Sequence, residues 1–206
     1  PWGRAETLMP VAAEFAVANV AAAMTVLLTL GHGLRDVVEA VEAMAPVPGR
    51  MQVIDGGPKW PRVIVDYAHT PDAVEKALAA LRPQCRGDLI CIVGCGGDRD
   101  RGKRAQMAHA AVKGSDRVWF TSDNPRSEDP EQILDDMGRG IDASNTRRVR
   151  SEVNRTEAIA AALTSAQPDD VVLIAGKGHE QTQEINGEFI PFSDFAVVHD
   201  IQSENI

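Results

Sequence analysis

Four short runs of apolar, mostly β-branched residues recur along this chain, and each one ends in a cluster of glycines and polar side chains. The runs are Arg62-Val63-Ile64-Val65, Leu89-Ile90-Cys91-Ile92-Val93, Arg117-Val118-Trp119-Phe120 and Val171-Val172-Leu173-Ile174. They lead into Asp66-Tyr67-Ala68-His69, Gly94-Cys95-Gly96-Gly97-Asp98-Arg99, Asp123-Asn124-Pro125-Arg126 and Ala175-Gly176-Lys177-Gly178-His179-Glu180. A strand without polar alternation is apolar on both faces, as in a parallel sheet covered by helices on both sides. Stretches at helical spacing separate the runs, so the fold class is α/β, a Rossmann-like, mostly parallel sheet with flanking helices. Ligands of such a sheet bind outside the carboxyl ends of its strands, where all four clusters fall. The clusters therefore read as one site assembled from four loops.

Between the runs, Thr70 is placed as N-cap and Pro71 as first residue of a helix reaching about Leu81. Further helices are expected over Lys103 to Val112, Pro130 to Gly138, Thr156 to Ala166 and Asp194 to Ile201. Gly187 to Phe192 reads as a late strand at an edge, because Pro191 cannot donate to a ladder. Ahead of this rhythm, Phe15 to Leu30 and Leu34 to Met44 form two helices joined by Gly31-His32-Gly33. Two helices make no core of their own, and Pro46-Val47-Pro48-Gly49 interrupts the pattern as a linker or hinge would. The expected division is residues 1–48, a helical remnant of another domain, and residues 49–206, a Rossmann-like domain. The opening Pro1-Trp2-Gly3-Arg4 lacks a Met and reads as truncated, with the stretch to Met9 as the end of a strand.

A chain of 206 residues accommodates one sizeable core and a smaller piece. A net charge of -9 disfavours nucleic acid, whose binding needs clustered Lys and Arg on one face. Small anionic or zwitterionic substrates remain compatible with a local basic pocket. Cys85, Cys91 and Cys95 are odd in number and lack ligand spacing, which speaks against a disulfide scaffold or a zinc site. The Phe15 to Leu30 segment is too short and Ala-rich for membrane insertion, and no basic leader precedes it, so the expected location is cytoplasmic.

Gly97-Asp98-Arg99-Asp100-Arg101-Gly102-Lys103 has the Gly-x4-Gly-Lys spacing of a phosphate loop, but Arg104 follows where a Ser or Thr would hold Mg²⁺. A Gly-rich turn under a helix explains the glycines and leaves two Asp and two Arg at a strand end, so at least one Arg is expected to face a ligand. Asp123-Asn124-Pro125-Arg126 is a turn by its chemistry. Arg126 adds a planar fork suited to a carboxylate or phosphate, and the acid beside it can accept an ammonium, a pairing that suits an amino acid. In Gly176-Lys177-Gly178-His179-Glu180 the glycines admit a ligand to the backbone, while His179 and Glu180 equally suit a helix start. Asp66 and His69 flank Tyr67, the only tyrosine, and read equally as a cap for the following helix.

Asp66-Tyr67-Ala68-His69-Thr70-Pro71, Gly94-Cys95-Gly96-Gly97-Asp98-Arg99-Asp100 with Gly102-Lys103-Arg104, Asp123-Asn124-Pro125-Arg126 and Gly176-Lys177-Gly178-His179-Glu180 occur in an order and spacing that resemble the Mur ligases, specifically the diaminopimelate-adding branch. The resemblance runs from about Phe15 onward. It implies the end of a central ATPase domain followed by a complete C-terminal domain, without the N-terminal UDP-binding domain, the central phosphate loop or the carbamylated lysine. The implied reaction is ATP-dependent amide formation in peptidoglycan synthesis. ATP, held with Mg²⁺ mainly by the central domain, phosphorylates the γ-carboxylate of the D-Glu in UDP-N-acetylmuramoyl-dipeptide with release of ADP, and the amine of meso-diaminopimelate attacks the acyl phosphate and displaces phosphate. Such chemistry gains most from positioning the amine and neutralising phosphoryl charge.

By that resemblance, Arg99, Asn124, Arg126, Gly176 and Glu180 hold diaminopimelate, and Asp123 and Pro125 shape the loop. Arg50, Asp66 and His69 approach the nucleotide, and Asn19 meets its adenine; Ala16 stands where the family has a second Asn three residues earlier. This chain alone is then not expected to be active, and its catalytic residues would lie outside it. Diaminopimelate differs from lysine by a second carboxylate, and a site built around that group can reject the analogue lacking it by roughly 10⁴ to 10⁵. Two other classes remain compatible with the residues: an independent nucleotide-binding domain using Gly97 to Lys103, and a non-catalytic amino-acid-binding module.

Overall fold

A computed structural model describes residues 2–9 and 13–204, and Pro1, at the expected truncated opening, lies outside the described residues. The chain divides into two compact units, Pro1–Val47 and Pro48–Ile206. The first holds α1 (Glu14–Thr29) and α2 (Leu34–Glu42), and α2 buries Val37 and Val41. The expected strand end before Met9 does not form: residues 2–9 carry no regular structure. Nothing in that stretch alternates over enough residues to set a register.

The second unit is built on a six-stranded sheet. In chain order it contains β1 (Gln52–Ile54), β2 (Arg62–Asp66), α3 (Pro71–Leu81), β3 (Leu89–Val93), α4 (Gly102–Gly114), β4 (Arg117–Phe120), α5 (Pro130–Gly138), β5 (Val149–Ser151), α6 (Arg155–Thr164), β6 (Val171–Ala175), β7 (Thr182–Ile185), β8 (Glu188–Pro191) and α7 (Asp194–Glu204). The sheet order is β1-β2-β6-β3-β4-β5, with only β1 antiparallel to its neighbour. The four apolar runs are thus adjacent parallel strands, and all their carboxyl ends open on one edge.

Burial follows from the helices on both faces. Every residue of β3 and β6 is buried. On one face Val63, Val65, Ile90, Ile92, Val172 and Ile174 pack with Ile159, Ala162 and Leu163 of α6 and Val198 of α7. α3 turns Val74, Ala77, Leu78 and Leu81 inward, and α4 turns Met107, Ala108 and Ala111 inward. Truncating one such buried Leu to Ala costs about 2–5 kcal/mol.

Local chemistry sets the helix starts. The Thr70 side chain accepts from Ala73 N at 3.3 Å, with Pro71 as the first helical residue. Asp129 caps α5, and Asn154 caps α6 by accepting from Thr156 N and Glu157 N. Lys103 is the second residue of α4, a place that a plain helix start and a phosphate loop share. The late strand forms as β8 but pairs only with β7, in a separate two-stranded ribbon. Pro191 sits at the end of β8, where a missing N–H costs least.

Candidate functional site

At the carboxyl edge the loops after β3, β4 and β6 interlock. The segment after β4 crosses the end of β3 because Gly94 has no side chain: a Cβ there would lie 2.4 Å from Thr121 O and 2.8 Å from Asp123 N. The same segment reaches the end of β6, where a Cβ on Gly176 would lie 2.7 Å from Asp123 Oδ2. Gly176 also carries a φ of +114°, which a side chain would strain. Asp123 and Gly176, from strands that are not neighbours, therefore touch.

Around this contact stands a polar network. Lys177, fully buried, donates from Nζ to Asn124 Oδ1 and to Glu180 Oε2, both at 2.9 Å, and Asn124 Nδ2 donates to the same Glu180 oxygen at 3.0 Å. Burial pushes the Glu180 carboxyl up, but the hydrogen bonds from Lys177 and Asn124 prevail and hold it below the usual carboxylate range. Asp123 behaves oppositely: burial holds its carboxyl above that range, against the pull of the Arg155 and Lys177 cations. The two carboxyls are thus shifted in opposite directions, Glu180 down and Asp123 up.

Arg126 lies on the far side of the loop. Its Nη1 donates to Gly97 O at 2.8 Å, and its Nε lies 3.0 Å from Glu184 Oε2. The ribbon strand β7 grips this loop: Gln183 Nε2 donates to Asp123 O at 2.7 Å, Glu184 N to Asn124 Oδ1 at 3.0 Å, and Arg126 N to Glu184 O at 3.0 Å. Pro125 is buried, and its carbonyl accepts from Glu128 N. Arg99 is exposed and donates to Asp98 O, and Gly96 separates its stem from Arg126 Nη1. Arg99, Asp123, Asn124, Pro125, Arg126, Gly176 and Glu180 therefore form one cluster.

Arg50, Asp66 and His69 form a second group on the loops around β2. The Arg50 guanidinium stacks over the Tyr67 ring at 4.7 Å, and the His69 and His179 rings lie 4.6 and 5.6 Å from it. His69 Nδ1 is 2.8 Å from Tyr67 O. Asp66 accepts from Met51 N at 2.7 Å, and burial raises its carboxyl despite that bond. The helix-capping alternative for Asp66 and His69 fails, because Thr70 caps α3. The two groups meet at the loop after β6, where Gly176 N donates to Asp66 O at 3.1 Å. Asn19 is an exposed residue of α1, in the other compact unit.

Sequence reasoning missed several participants. Lys177 stood inside a quoted motif with no role, and a lysine between two glycines at a strand end was the available signal. Tyr67 proves to be the platform of the second group. Glu184 and Gln183 belong to a strand too short and polar to announce itself. Arg155 opens a helix, where a cation opposes the helix dipole, and that misfit was the signal for it. Burial pushes the Cys91 and Cys95 thiols up to about 12, away from the thiolate form. Among the described residues no group of three or more His, Cys, Asp or Glu side chains is placed to hold a metal ion.

The sheet order and the loop cluster define a Rossmann-like α/β domain with its polar loops gathered at the carboxyl edge of the sheet. Residues 49–178 match the family model described as Mur ligase, glutamate ligase domain. The chain belongs to the Mur ligase family. It is 46% identical over 194 residues to the UDP-N-acetylmuramoyl-L-alanyl-D-glutamate--2,6-diaminopimelate ligase of Coxiella burnetii, covering 94% of this chain and 39% of that protein. To the ligase of the same name from Pseudomonas syringae pv. tomato it is 50% identical over 181 residues, 88% of this chain and 37% of that protein. A solved structure of a ligase so named superposes with a TM-score of 0.76 at 44% identity, over 97% of this chain and 40% of its own. Mycobacterium tuberculosis folylpolyglutamate synthase, at 24% identity and a TM-score of 0.63 over 84% of this chain and 39% of its own, shares the fold. The chain thus spans about two fifths of the length of these relatives.

Proposed function

We propose that this chain is the amino-acid-binding portion of an ATP-dependent ligase that adds meso-diaminopimelate to UDP-N-acetylmuramoyl-L-alanyl-D-glutamate in peptidoglycan synthesis. The observation that carries the reading is the gathering of acidic and basic side chains from three loops at one edge of the sheet. Glu180 accepts from Asn124 Nδ2, Asp123 packs against Gly176, and Arg126 and Arg99 stand beside Gly96. An α-amino acid carries an ammonium and a carboxylate, and a diamino diacid carries one pair at each end. In this reading Arg126, with Arg99, takes the distal carboxylate, Glu180, oriented by Asn124, takes an ammonium, and Gly176 keeps the wall beside Asp123 free of a side chain. Holding the reacting amine there turns its attack on the activated D-Glu carboxylate into a positioned, effectively unimolecular step.

The second group suits a nucleotide by its donor set: the exposed Arg50 fork can pair with phosphate, and Tyr67, His69 and His179 offer ring faces. ATP supplies the phosphoryl group that makes the carboxylate electrophilic. Asp66 holds the Met51 backbone beside Arg50, and Asn19 is assigned to the adenine. Mg²⁺ accompanies ATP and is assigned, with it, mainly to the central domain of the ligase. Residues 1–48 are read as the end of the central ATP-binding domain and residues 49–206 as the C-terminal domain. Among the described residues no helix is long and apolar enough to cross a membrane.

The test is ADP release by a complete ligase bearing this sequence, supplied with ATP, Mg²⁺, the UDP-dipeptide and either meso-diaminopimelate or lysine. Turnover with diaminopimelate and little with lysine supports the reading; turnover with lysine alone, or with neither, overturns it.

A further inference from the structure

The strands whose loops carry Asp123 and Gly176 are not hydrogen-bonded to each other, because β3 lies between β4 and β6. Sheet pairing alone therefore leaves the spacing of those loops to a neighbour's neighbour. Lys177, Asn124 and Glu180 join the loops farther out, and at the strand ends themselves Arg155 bridges the gap. Arg155, 1% exposed, donates from Nη1 to Ser122 O at 3.3 Å and from Nη2 to Ala175 O at 3.0 Å. These carbonyls belong to the residues immediately before Asp123 and Gly176.

The guanidinium is itself held in a fork. Asp194, fully buried at the start of α7, accepts from Arg155 Nε at 2.7 Å and from Nη2 at 2.9 Å. The fork fixes the plane of the guanidinium, and the plane fixes where its two remaining arms reach. The hydroxyls of Thr121 and Ser122 are buried and make no hydrogen bond among the described residues, so this segment is held by its backbone. The Ser122 carbonyl is the point at which Arg155 holds it. A buried ion pair is weak evidence for stability, since well-packed apolar residues of similar volume often serve as well. What apolar residues cannot supply is a pair of donors aimed at two strand ends.

We propose that Arg155 and Asp194 are positioning residues for the amino-acid site, setting the distance between the Asp123 and Gly176 loops without touching the ligand. The inference rests on the diaminopimelate reading for the identity of the ligand, and on the geometry alone for the clamp. Arg155 is also one of the two cations that draw the Asp123 carboxyl down against burial, the other being Lys177, while Glu180 and Asp194 push it up. The pair therefore bears on both the place and the charge of one wall of the site.

The experiment compares Arg155→Met/Asp194→Leu, Arg155→Lys and Asp194→Asn with the parent in a complete ligase bearing this sequence. It reads thermal unfolding and the KM for amino acid and for ATP. The double variant removes both charges together and should unfold cooperatively close to the parent, with the amino-acid KM raised about tenfold or more and the ATP KM within about twofold. Arg155→Lys keeps the charge and loses the fork, so its amino-acid KM should lie between parent and double variant. Asp194→Asn keeps the shape, and should raise the amino-acid KM by several-fold even where the double variant fails to fold. A folded double variant or Asp194→Asn with the parent's amino-acid KM overturns the clamp, as does an ATP KM rising in parallel. If the parent adds lysine instead of diaminopimelate, the ligand reading fails while the clamp is still judged on the lysine KM.

Discussion

The Arg126 guanidinium already faces a carboxylate of its own chain, with Nε 3.0 Å from Glu184 Oε2. Glu184 reaches this place from β7, whose backbone also binds Asn124 and Arg126, so the acid is held where an incoming carboxylate must compete with it. The pair is partly exposed, 20% and 26%, and such pairs are worth about 1 kcal/mol or less. Glu184→Gln keeps an acceptor and removes the competing charge. The KM for diaminopimelate in a complete ligase should fall by about two- to fivefold. A rise instead would show that Glu184 orients the fork rather than contesting it.

Arg126→Lys probes the fork itself. A lysine offers a point charge where two parallel bonds to one carboxylate are needed, and it lacks the planar fork that also reaches the Gly97 carbonyl. Loss of a charge-assisted bond of about 1.5–3 kcal/mol lowers kcat/KM for diaminopimelate by about one to two decades. The ATP KM should stay near the parent value, because Arg50 and Tyr67 lie on the other side of the Gly176 loop. Steady-state kinetics with both substrates varied decides it; an ATP defect equal to the amino-acid defect would refute the division of the edge into two groups.

The loop that presents Arg126 is tied down by Glu128. Its Oε1 accepts from Asp98 N at 2.6 Å and from Nη2 of the buried Arg104 at 2.7 Å. The Arg104 hydrogen bond, with that from Asp98, draws the Glu128 carboxyl down from 4.5 to about 2. A carboxyl depressed on folding contributes stability that is fully present above its unfolded value and is lost as pH falls through the folded one. The window therefore runs from about 4.5 down to about 2. Glu128→Gln should cost about 1.5–3 kcal/mol at neutral pH, with the deficit closing through that window. Urea unfolding of the 206-residue chain at a series of pH values measures this, and a deficit that does not change with pH would exclude the ion pair as its source.

The strands of the sheet centre were legible because they are buried on both faces, so their apolar runs are continuous and their polar ends abrupt. β1, β5 and β7 were not: Gln52–Ile54 and Val149–Ser151 are edge strands of three residues, and Thr182–Ile185 is half-buried throughout. Their pairing is decided by tertiary contacts, not by any local pattern. The site was legible as four clusters, but not as a network. Nothing local indicates that Lys177 would be fully buried between Asn124 and Glu180, or that Arg155 would reach strand ends carried by residues 122 and 175. Apart from Lys177 and Glu180, which are three residues apart, the partners are separated by 20 residues or more and meet only when parallel strands bring their ends together.

The crossing of β3 by the loop after β4 gives the last prediction. Gly94 leaves room for Thr121 O and Asp123 N, and a methyl group there would meet backbone at 2.4 and 2.8 Å, which no side-chain rotation relieves. Gly94→Ala must displace the Thr121 to Asp123 segment, costing about 1–3 kcal/mol of stability by overpacking. The displacement also moves Asp123 away from Gly176, so the amino-acid KM should rise with the loss of stability. Gly138→Ala is the control, since a Cβ there meets nothing within 4 Å. It lies at the end of α5, where Ala is at worst neutral for a helix, and should leave both the unfolding midpoint and the KM near the parent values. A Gly94→Ala protein as stable as the parent and with an unchanged amino-acid KM would mean that the loop does not need to cross β3 so closely to form the site.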